Sequence, residues 1–252
     1  MDRVRLLARL DIKNNSVIKG IHLEGLRKIG DPAELASKYY QDGIDEILFV
    51  DSVAAYYDRN SLVEVIAHTA SQVFVPITVA GGLRSIEDIQ RVLSNGADKV
   101  AINTQATRDR NFLKEAVQVF GSQSIICSLV VKSNGAGTWE LYTDNGREPS
   151  GIDAVEWLDF AQDCGVGELM VTSIDRDGTR RGFDEEFLSL AAERARVPLI
   201  ACSGAGKVQH LDSLCRAARV DAIAVASMLH YGLSTIPEMK EALRNSGRTT
   251  RL

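Results

Sequence analysis

The chain has 252 residues, of which 45% are hydrophobic and 25% are charged. These fractions are typical of folded soluble proteins and exclude disordered, collagen-like and coiled-coil chains. The 29 Lys and Arg residues against 34 Asp and Glu residues give a net charge of −5, which argues against a broad nucleic-acid interface.

No targeting or membrane segment is expected. The N-terminal residues are charged throughout, and no stretch approaches the about 18 apolar residues of a membrane span. The cysteines are isolated on apolar stretches without a CxxC pair, which is typical of reduced thiols in a cytoplasmic protein. The histidines show no metal-ligand spacing, so we do not expect a metal site.

Short apolar runs alternate with amphipathic segments along the whole chain. Runs of four or five apolar residues, rich in Val and Ile, are typical of strands buried on both faces of a parallel sheet. The eight runs are Val4–Leu10, Glu46–Val50, Val75–Val79, Lys99–Ile102, Ser124–Val131, Glu168–Thr172, Pro198–Cys202 and Ala222–Ala226. Helical patterns lie between them, and the clearest are Asp31–Gly43, Ser85–Gly96, Gly151–Gly165 and Phe183–Ala195. The alternation predicts an α/β protein with a single (β/α)₈ TIM barrel over residues 1–252, and the alternative is an open doubly wound sheet.

The second half of the chain repeats the first half. The segment from Asp98 to Thr104 matches the segment from Asp221 to Ser227, and the first apolar run falls on the fifth. This alignment places Val130 opposite Asp11. A repeat of this length indicates two half-barrels, about 1–120 and 121–252, and it favours the barrel over the open sheet.

Two glycine-rich loops run from a strand end into a helix. They are Ala80–Leu83 and Ser203–Gly206, and short polar residues follow at the next strand end, Asn103–Thr104 and Ser227 respectively. Backbone N–H groups at a helix N-terminus, with a hydroxyl nearby, form a cradle for phosphate. One such loop is more often a simple tight turn. Two at symmetric positions predict a ligand with a phosphate at each end, and we call them the first and the second cradle.

Acids at strand ends are the candidates for proton transfer, because barrel active sites lie at the C-terminal ends of the strands. Asp11 ends an otherwise apolar strand, where an unpaired acid is costly. We interpret it as a general acid or base, and the alternative is a structural acid held by a lysine. Asp51 has the same placement on the second strand, but it could equally bind a loop backbone. The segment Ile174–Thr179 is richer in polar groups than a turn requires.

Four strands begin with a charged residue at the opposite end of the barrel. These residues are Arg5, Glu46, Lys99 and Glu168. Two cations and two acids at that end predict a charged ring that closes the barrel. Ordinary solvated strand ends are the simpler alternative.

These motifs together resemble one family. The matching stretches include Leu10-Asp-Ile-Lys, Val17-Ile-Lys-Gly, Ala97-Asp-Lys-Val-Ala-Ile-Asn-Thr104, Thr172-Ser-Ile-Asp-Arg-Asp-Gly-Thr179 and Gly204-Ala-Gly-Lys207. They run almost from end to end of the chain. The chain is similar to the cyclase subunit of imidazole glycerol phosphate synthase, a barrel of histidine biosynthesis that receives ammonia from a glutaminase.

The resemblance implies a lyase reaction without a cofactor. Ammonia and a phosphoribulosyl-formimino ribonucleotide would give imidazole glycerol phosphate and aminoimidazole carboxamide ribotide, with Asp11 as the catalytic residue. The implied binding residues for the bis-phosphorylated substrate are Lys19, Asp51, Gly82, Asn103, Thr104, Thr172, Asp177, Gly178, Gly204 and Ser227. The charged ring would be the ammonia gate, with the glutaminase subunit at the N-terminal face and no nucleic-acid or membrane partner.

The chain also departs from the family pattern. Val130 replaces the second catalytic aspartate of the family, and Arg9 stands where the family has a small residue. Ala80 and Ser203 replace glycines of the cradles, and the Ala54–Tyr57 stretch is also unusual. Besides a cyclase that works with Asp11 alone, these changes leave two alternatives open. One is a diverged paralogue that conducts ammonia for a sugar or surface-polysaccharide amidation pathway, and the other is a stand-alone phosphosugar-binding barrel.

Arg9 carries one prediction that rests on physics alone. By the alternation of a strand, Arg9 shares the inward face with Arg5 and Asp11. A buried guanidinium without a partner costs several kcal/mol, so we expect it to pair with Asp11 or Asp51. Pairing with Asp11 would keep that carboxyl ionised and make it a better base than acid. The alternative is a strand irregularity that turns Arg9 outward.

Overall fold

The computed structural model describes residues 3–52 and 62–251, so the Ala54–Tyr57 stretch lies outside the described residues. Eight parallel strands form the barrel: β1 (Arg5–Lys13), β4 (Glu46–Asp51), β5 (Ile77–Ala80), β6 (Lys99–Ile102), β7 (Ile125–Ser133), β10 (Glu168–Ser173), β11 (Leu199–Cys202) and β12 (Ala222–Val225). Their order is β10-β11-β12-β1-β4-β5-β6-β7, and β7 pairs with β10 to close the ring. The barrel prediction is confirmed, and the open sheet is wrong.

Four further strands form two antiparallel hairpins that the apolar runs did not predict. They are β2 (Ser16–Ile21), β3 (Glu24–Gly30), β8 (Trp139–Thr143) and β9 (Glu148–Asp153). One hairpin continues from β1 and the other from β7, both beyond the C-terminal end of the barrel. They escaped prediction because none of them has a long apolar run. In β8 only every second residue is buried, and β3 and β9 have no buried residue.

Ten helices are described around the barrel: α1 (Pro32–Gln41), α2 (Leu62–Ala70), α3 (Ile86–Ser94), α4 (Thr104–Arg108), α5 (Asn111–Phe120), α6 (Ala154–Asp163), α7 (Glu185–Arg194), α8 (Val208–Ala217), α9 (Ser227–His230) and α10 (Ile236–Asn245). Ser85, the first residue of a predicted helical pattern, caps α3 by accepting a hydrogen bond from the backbone N–H of Asp88. The predicted start of α6 at Gly151 is wrong. Residues 151–153 belong to β9, and Asp153 caps the helix instead.

The core has two layers. The larger cluster lies between the outer face of the strands and the helices. A smaller apolar cluster fills the interior of the barrel, which we call the bore, and includes Leu7, Leu48, Ile126, Met170 and Ile200. Burial on both faces is the reason that the barrel strands read as continuous apolar runs.

The same hydrogen bond occurs in each half of the barrel. The backbone N–H of Ile77 donates to Asp98 Oδ2 at 2.8 Å, and the backbone N–H of Leu199 donates to Asp221 Oδ2 at 2.8 Å. These acids precede β6 and β12, and the residues they bind begin β5 and β11. The equivalence supports the internal repeat, while the half-barrel boundaries at about residue 120 stay a prediction.

Within residues 3–52 and 62–251, none of the helices combines the length and the apolar character needed to cross a membrane. The same residues contain no group of three or more His, Cys, Asp or Glu side chains placed to hold a metal. The four cysteines, Cys127, Cys164, Cys202 and Cys215, are free thiols.

Candidate functional site

Two cavities open at the C-terminal end of the barrel, which we call the mouth. The first is lined by Gly82, Asn103 and Thr104 of the first cradle, together with Asp51 and Thr172. The second is lined by residues of the second cradle and the β10 loop, which are Asp177, Gly178, Ser203, Gly204 and Ser227. Arg9 lines both cavities. The predicted cradles therefore lie at one mouth, on either side of the Arg9 side chain.

Asp11 is buried beneath the mouth between two cations. Arg9 Nε donates to Asp11 Oδ1 at 2.9 Å, and Lys19 Nζ lies 3.5 Å from Asp11 Oδ2. Burial alone would raise the pKa of Asp11, but the charges of Arg9 and Lys19 outweigh it and hold the pKa below its ordinary value. The predicted pairing of Arg9 with Asp11 is confirmed, and the outward-facing alternative is wrong.

The guanidinium of Arg9 makes a second contact across the bore. Its Nη1 donates to Thr172 Oγ1 of β10 at 3.2 Å, and the residue is only 5% exposed. Burial lowers the pKa of Arg9, but the neighbouring carboxylates of Asp11 and Asp177 outweigh this effect and raise the pKa above its ordinary value. The guanidinium therefore keeps its charge. Thr172, expected to bind substrate, holds Arg9 in this structure.

The β2–β3 hairpin lies across the second cavity. Lys19 Nζ donates to both carboxylate oxygens of Asp177 at 2.9 Å, and the backbone N–H of His22 donates to the Asp177 carbonyl at 2.8 Å. A Cβ on Gly178 would lie 2.1 Å from the carbonyl oxygen of Gly20. Asp177 thus holds Lys19 over the second cradle, and only glycine at position 178 allows the hairpin to approach this closely.

Both cradles contain a glycine that cannot be replaced without strain. Gly204 has a φ of +98°, and a Cβ there would lie 2.1 Å from the carbonyl oxygen of Gly182. Gly81 has a φ of +90°, with the Asp51 carbonyl 2.4 Å from the added atom. Ser203, which replaces a family glycine, adopts a φ of +82° and donates through Oγ to Asp177 Oδ1 at 3.3 Å. This hydrogen bond partly compensates for the left-handed backbone.

The side chains of the first cradle support its neighbours more than they face a ligand. Asn103 Nδ2 donates to the carbonyls of Ser128 and Tyr142 at 3.0 and 3.1 Å. Thr104 Oγ1 donates to Asn103 Oδ1 and accepts from the backbone N–H of Asp144. Phosphate binding by this cradle would therefore fall mainly to backbone N–H groups, including those around Gly82.

An apolar wall stands where the family has its second acid. Val130 packs with Leu23 of the β2–β3 hairpin and with Ile174, and Tyr142 lies against them. β7 is four strands from β1 in the ring of eight, so Val130 faces Asp11 from the opposite side of the barrel. The described mouth thus has an ionised acid on one side and no acid on the other at this level.

The predicted charged ring is closed at the N-terminal end of the bore. Arg5 donates to Glu46 at 2.6 Å and to Glu168 at 2.5 Å, and Lys99 lies 2.5 Å from Glu168 and 3.5 Å from Glu46. Burial would raise the pKa of Glu168, but its bonds to Arg5 and Lys99 hold it below the ordinary value. The interpretation as separately solvated strand ends is wrong.

The sequence patterns did not identify several residues that line the mouth. Arg108, Asp144 and Asn145 line the first cavity, and Arg108 bridges to Asp144 at 3.1 Å. Asp144 and Asn145 lie in the turn between β8 and β9. The sequence signal that could have revealed this turn is the short alternating pattern Trp139-Glu-Leu-Tyr-Thr143 of β8.

His230 is a further residue that the sequence did not single out. Its Nδ1 lies 2.8 Å from the Tyr39 hydroxyl, while Nε2 is buried and has no hydrogen-bond partner among the described residues. Burial lowers the pKa of His230 to about 4, so the ring is neutral at pH 7.

Comparisons with known proteins agree with this geometry. The sequence model of a family described as "Histidine biosynthesis protein" matches residues 5–235. The chain is 47% identical over 212 residues to the imidazole glycerol phosphate synthase subunit HisF of Legionella pneumophila, covering 84% of this chain and 100% of that protein. The chain belongs to the histidine biosynthesis protein family and is a HisF-like barrel.

Proposed function

We propose that this chain is the cyclase subunit of an imidazole glycerol phosphate synthase. It would use ammonia to convert a phosphoribulosyl-formimino ribonucleotide to imidazole glycerol phosphate and aminoimidazole carboxamide ribotide. The identity to a synthase subunit over the whole length of that protein favours this reaction over the ammonia-conduit and stand-alone binding alternatives.

One observation carries the proposal beyond family membership. The bore runs from the charged ring to a mouth where Arg9, paired with Asp11, lines two glycine-containing cavities. Two cavities match a substrate with two phosphates. A small neutral nucleophile such as ammonia would enter through the charged ring and pass the apolar side chains of the bore. Lys19, Asp51 and Thr172 would contact the substrate between the cradles.

Asp11 is suited to act as the general base. It is ionised by its contacts with Arg9 and Lys19, so it can accept a proton but rarely has one to donate. With Val130 across the mouth, proton donation would fall to water or to the substrate itself. With Asp11 as its single proton-transfer residue, the protein would reach only part of the rate enhancement that a pair of acids provides.

As a subunit of this synthase, the chain works with a glutaminase partner. We place the partner at the N-terminal face, because the charged ring lies at that end of the bore. Phe74 precedes β5 and is 74% exposed, and Val119 lies in the last turn of α5 and is 54% exposed. Both lie at this end of the barrel, and large exposed apolar side chains are typical of interface cores. Such contacts would also seal the ammonia path from water.

The test is cyclase turnover with an ammonium salt as the nitrogen source. We expect imidazole glycerol phosphate from the wild-type protein and a loss of about 10²–10⁴-fold in Asp11→Asn. Asp163→Asn, at an exposed ion pair with Arg196, is the matched control and should leave turnover unchanged. Absence of product from the wild-type protein at saturating ammonium would contradict the proposal.

A further inference from the structure

Arg9 repeats, higher in the bore, the crossing that Arg5 makes in the charged ring. Arg5 of β1 reaches Glu168 of β10 at 2.5 Å. Arg9, four residues further along β1, reaches Thr172, four residues further along β10, at 3.2 Å. Both side chains pass in front of β11 and β12, which lie between β1 and β10 in the ring. The two crossings are about 13 Å apart by the usual rise of a strand.

Apolar side chains fill the bore between the two crossings. The side chains of Leu7, Leu48, Ile126 and Met170 belong to the bore cluster and are at most 2% exposed. A solute that enters through the charged ring therefore meets Arg9 as the next charged group on its way to the mouth. Since Arg9 lines both cavities, the solute passes the guanidinium whichever cradle it approaches.

The contacts of Arg9 divide it into a fixed part and a releasable part. The Nε atom is held at 2.9 Å by the carboxylate of Asp11 on the same strand. The Nη1 atom is held across the bore by the hydroxyl of Thr172 at 3.2 Å, and the neutral thiol of Cys202 lies beside the guanidinium as a weaker partner. Swinging Nη1 away from Thr172 opens the crossing and can leave the ion pair with Asp11 intact.

We propose that Arg9 and Thr172 form an inner gate at the mouth end of the bore, which controls the passage of ammonia from the charged ring to Asp11. This inference rests on the proposed function, since it takes ammonia as the solute. A guanidinium at this point also repels ammonium, so the neutral form of ammonia is the one that passes. Opening the gate breaks one charge-assisted hydrogen bond, which is enough to slow passage by about tenfold.

The test compares two nitrogen sources in the complex with the glutaminase subunit. With glutamine, ammonia arrives through the bore, whereas an added ammonium salt reaches the substrate from the open mouth. The ratio of the glutamine-dependent to the ammonium-dependent rate isolates passage, because any change in the chemistry at Asp11 affects both rates. The glutamate formed per imidazole glycerol phosphate is a second measure, since blocked ammonia is lost to water.

We expect Arg9→Ala to raise this ratio by about tenfold and to bring glutamate per product closer to one. Thr172→Val removes only the hydroxyl and keeps the Arg9–Asp11 pair, so it should move both measures in the same direction even if Arg9→Ala folds poorly. Thr69→Val is the matched control, because Thr69 is 1% exposed in α2, outside the bore, and it should change neither measure.

The outcomes separate this inference from the proposed function. An unchanged or lower ratio in both Arg9→Ala and Thr172→Val overturns the inner gate and leaves the cyclase function standing. Turnover that is absent with ammonium in the wild-type complex contradicts the cyclase function, and the inner gate falls with it.

Discussion

Arg9 and Asp11 lie two residues apart on β1, and their side chains meet inside the barrel with Arg9 Nε 2.9 Å from Asp11 Oδ1. Both residues are 5% exposed. A buried ion pair of this kind adds little net stability, but removal of one partner leaves an uncompensated charge and is strongly destabilising. The pair thus constrains both the protonation of Asp11 and the positions that Arg9 can occupy.

The pairing predicts a shift in the pH dependence of turnover when Arg9 is removed. Because Arg9 lowers the pKa of Asp11, the wild-type protein should keep its base ionised to below the ordinary carboxyl value. In Arg9→Met, burial still disfavours the ionised carboxylate of Asp11, and of the two neighbouring cations only Lys19 remains to stabilise it. The acidic limb of kcat/KM with ammonium should therefore move to higher pH. The same midpoint in both proteins would show that Arg9 does not set the pKa of Asp11.

The same shift makes a statement about stability. A carboxyl with a lowered pKa in the folded state stabilises the fold above its unfolded pKa, and this contribution is lost as the pH falls through the folded value. Urea unfolding at several pH values should therefore show wild-type stability that declines only below the ordinary carboxyl range. Arg9→Met should be less stable at pH 7, and its stability should depend less on pH in that acidic window.

Restoring an acid at Val130 should separate chemistry from packing. Val130→Asp places a carboxyl opposite Asp11, and we expect ammonium-dependent kcat to rise by about 10²-fold, the lower end of the gain from a positioned acid. The carboxyl would also lie among Leu23 and Ile174, so the free energy of unfolding should fall. Val130→Asn has nearly the same shape without a proton to transfer. A gain shared by both variants would point to hairpin opening instead of acid catalysis.

The charged ring should contribute to stability more than the exposed ion pairs do. Glu168→Gln removes the acid that binds both Arg5 and Lys99, and we expect a loss of about 1–2 kcal/mol in urea unfolding. Asp163→Asn breaks a pair whose two side chains are 61% and 67% exposed, and it should change stability little. Equal effects would indicate that water screens the ring as it screens the surface.

The second cradle should depend on glycine at position 204. In Gly204→Ala, the new methyl group collides with the Gly182 carbonyl in addition to the left-handed backbone, so we expect a loss of about 2–3 kcal/mol. Gly43 has a φ of +90° with open space around its Cβ, so Gly43→Ala isolates the backbone cost of about 1 kcal/mol. Inorganic phosphate should raise the melting temperature of the Gly43 variant and have a smaller effect on the Gly204 variant.

The sequence by itself determined the architecture of this protein. Strands buried on both faces must be apolar throughout, so eight short apolar runs separated by amphipathic segments predict a parallel barrel. The internal repeat favoured a barrel over an open sheet, and the ends of the runs indicated where Asp11, the cradles and the charged ring would lie. Alternation along β1 was enough to turn Arg9 inward, because successive side chains of a strand point to opposite faces.

The tertiary structure decided which of these residues contact one another. Arg9 had two acids within reach on inward faces, and the curvature of the closed barrel brings it to Asp11 and, across the bore, to Thr172. The β2–β3 hairpin covers the second cavity because Asp177, far along the chain, binds Lys19 and His22. Contacts between distant segments depend on the closure of the ring and on side-chain packing, and neither is encoded in the period of a local pattern.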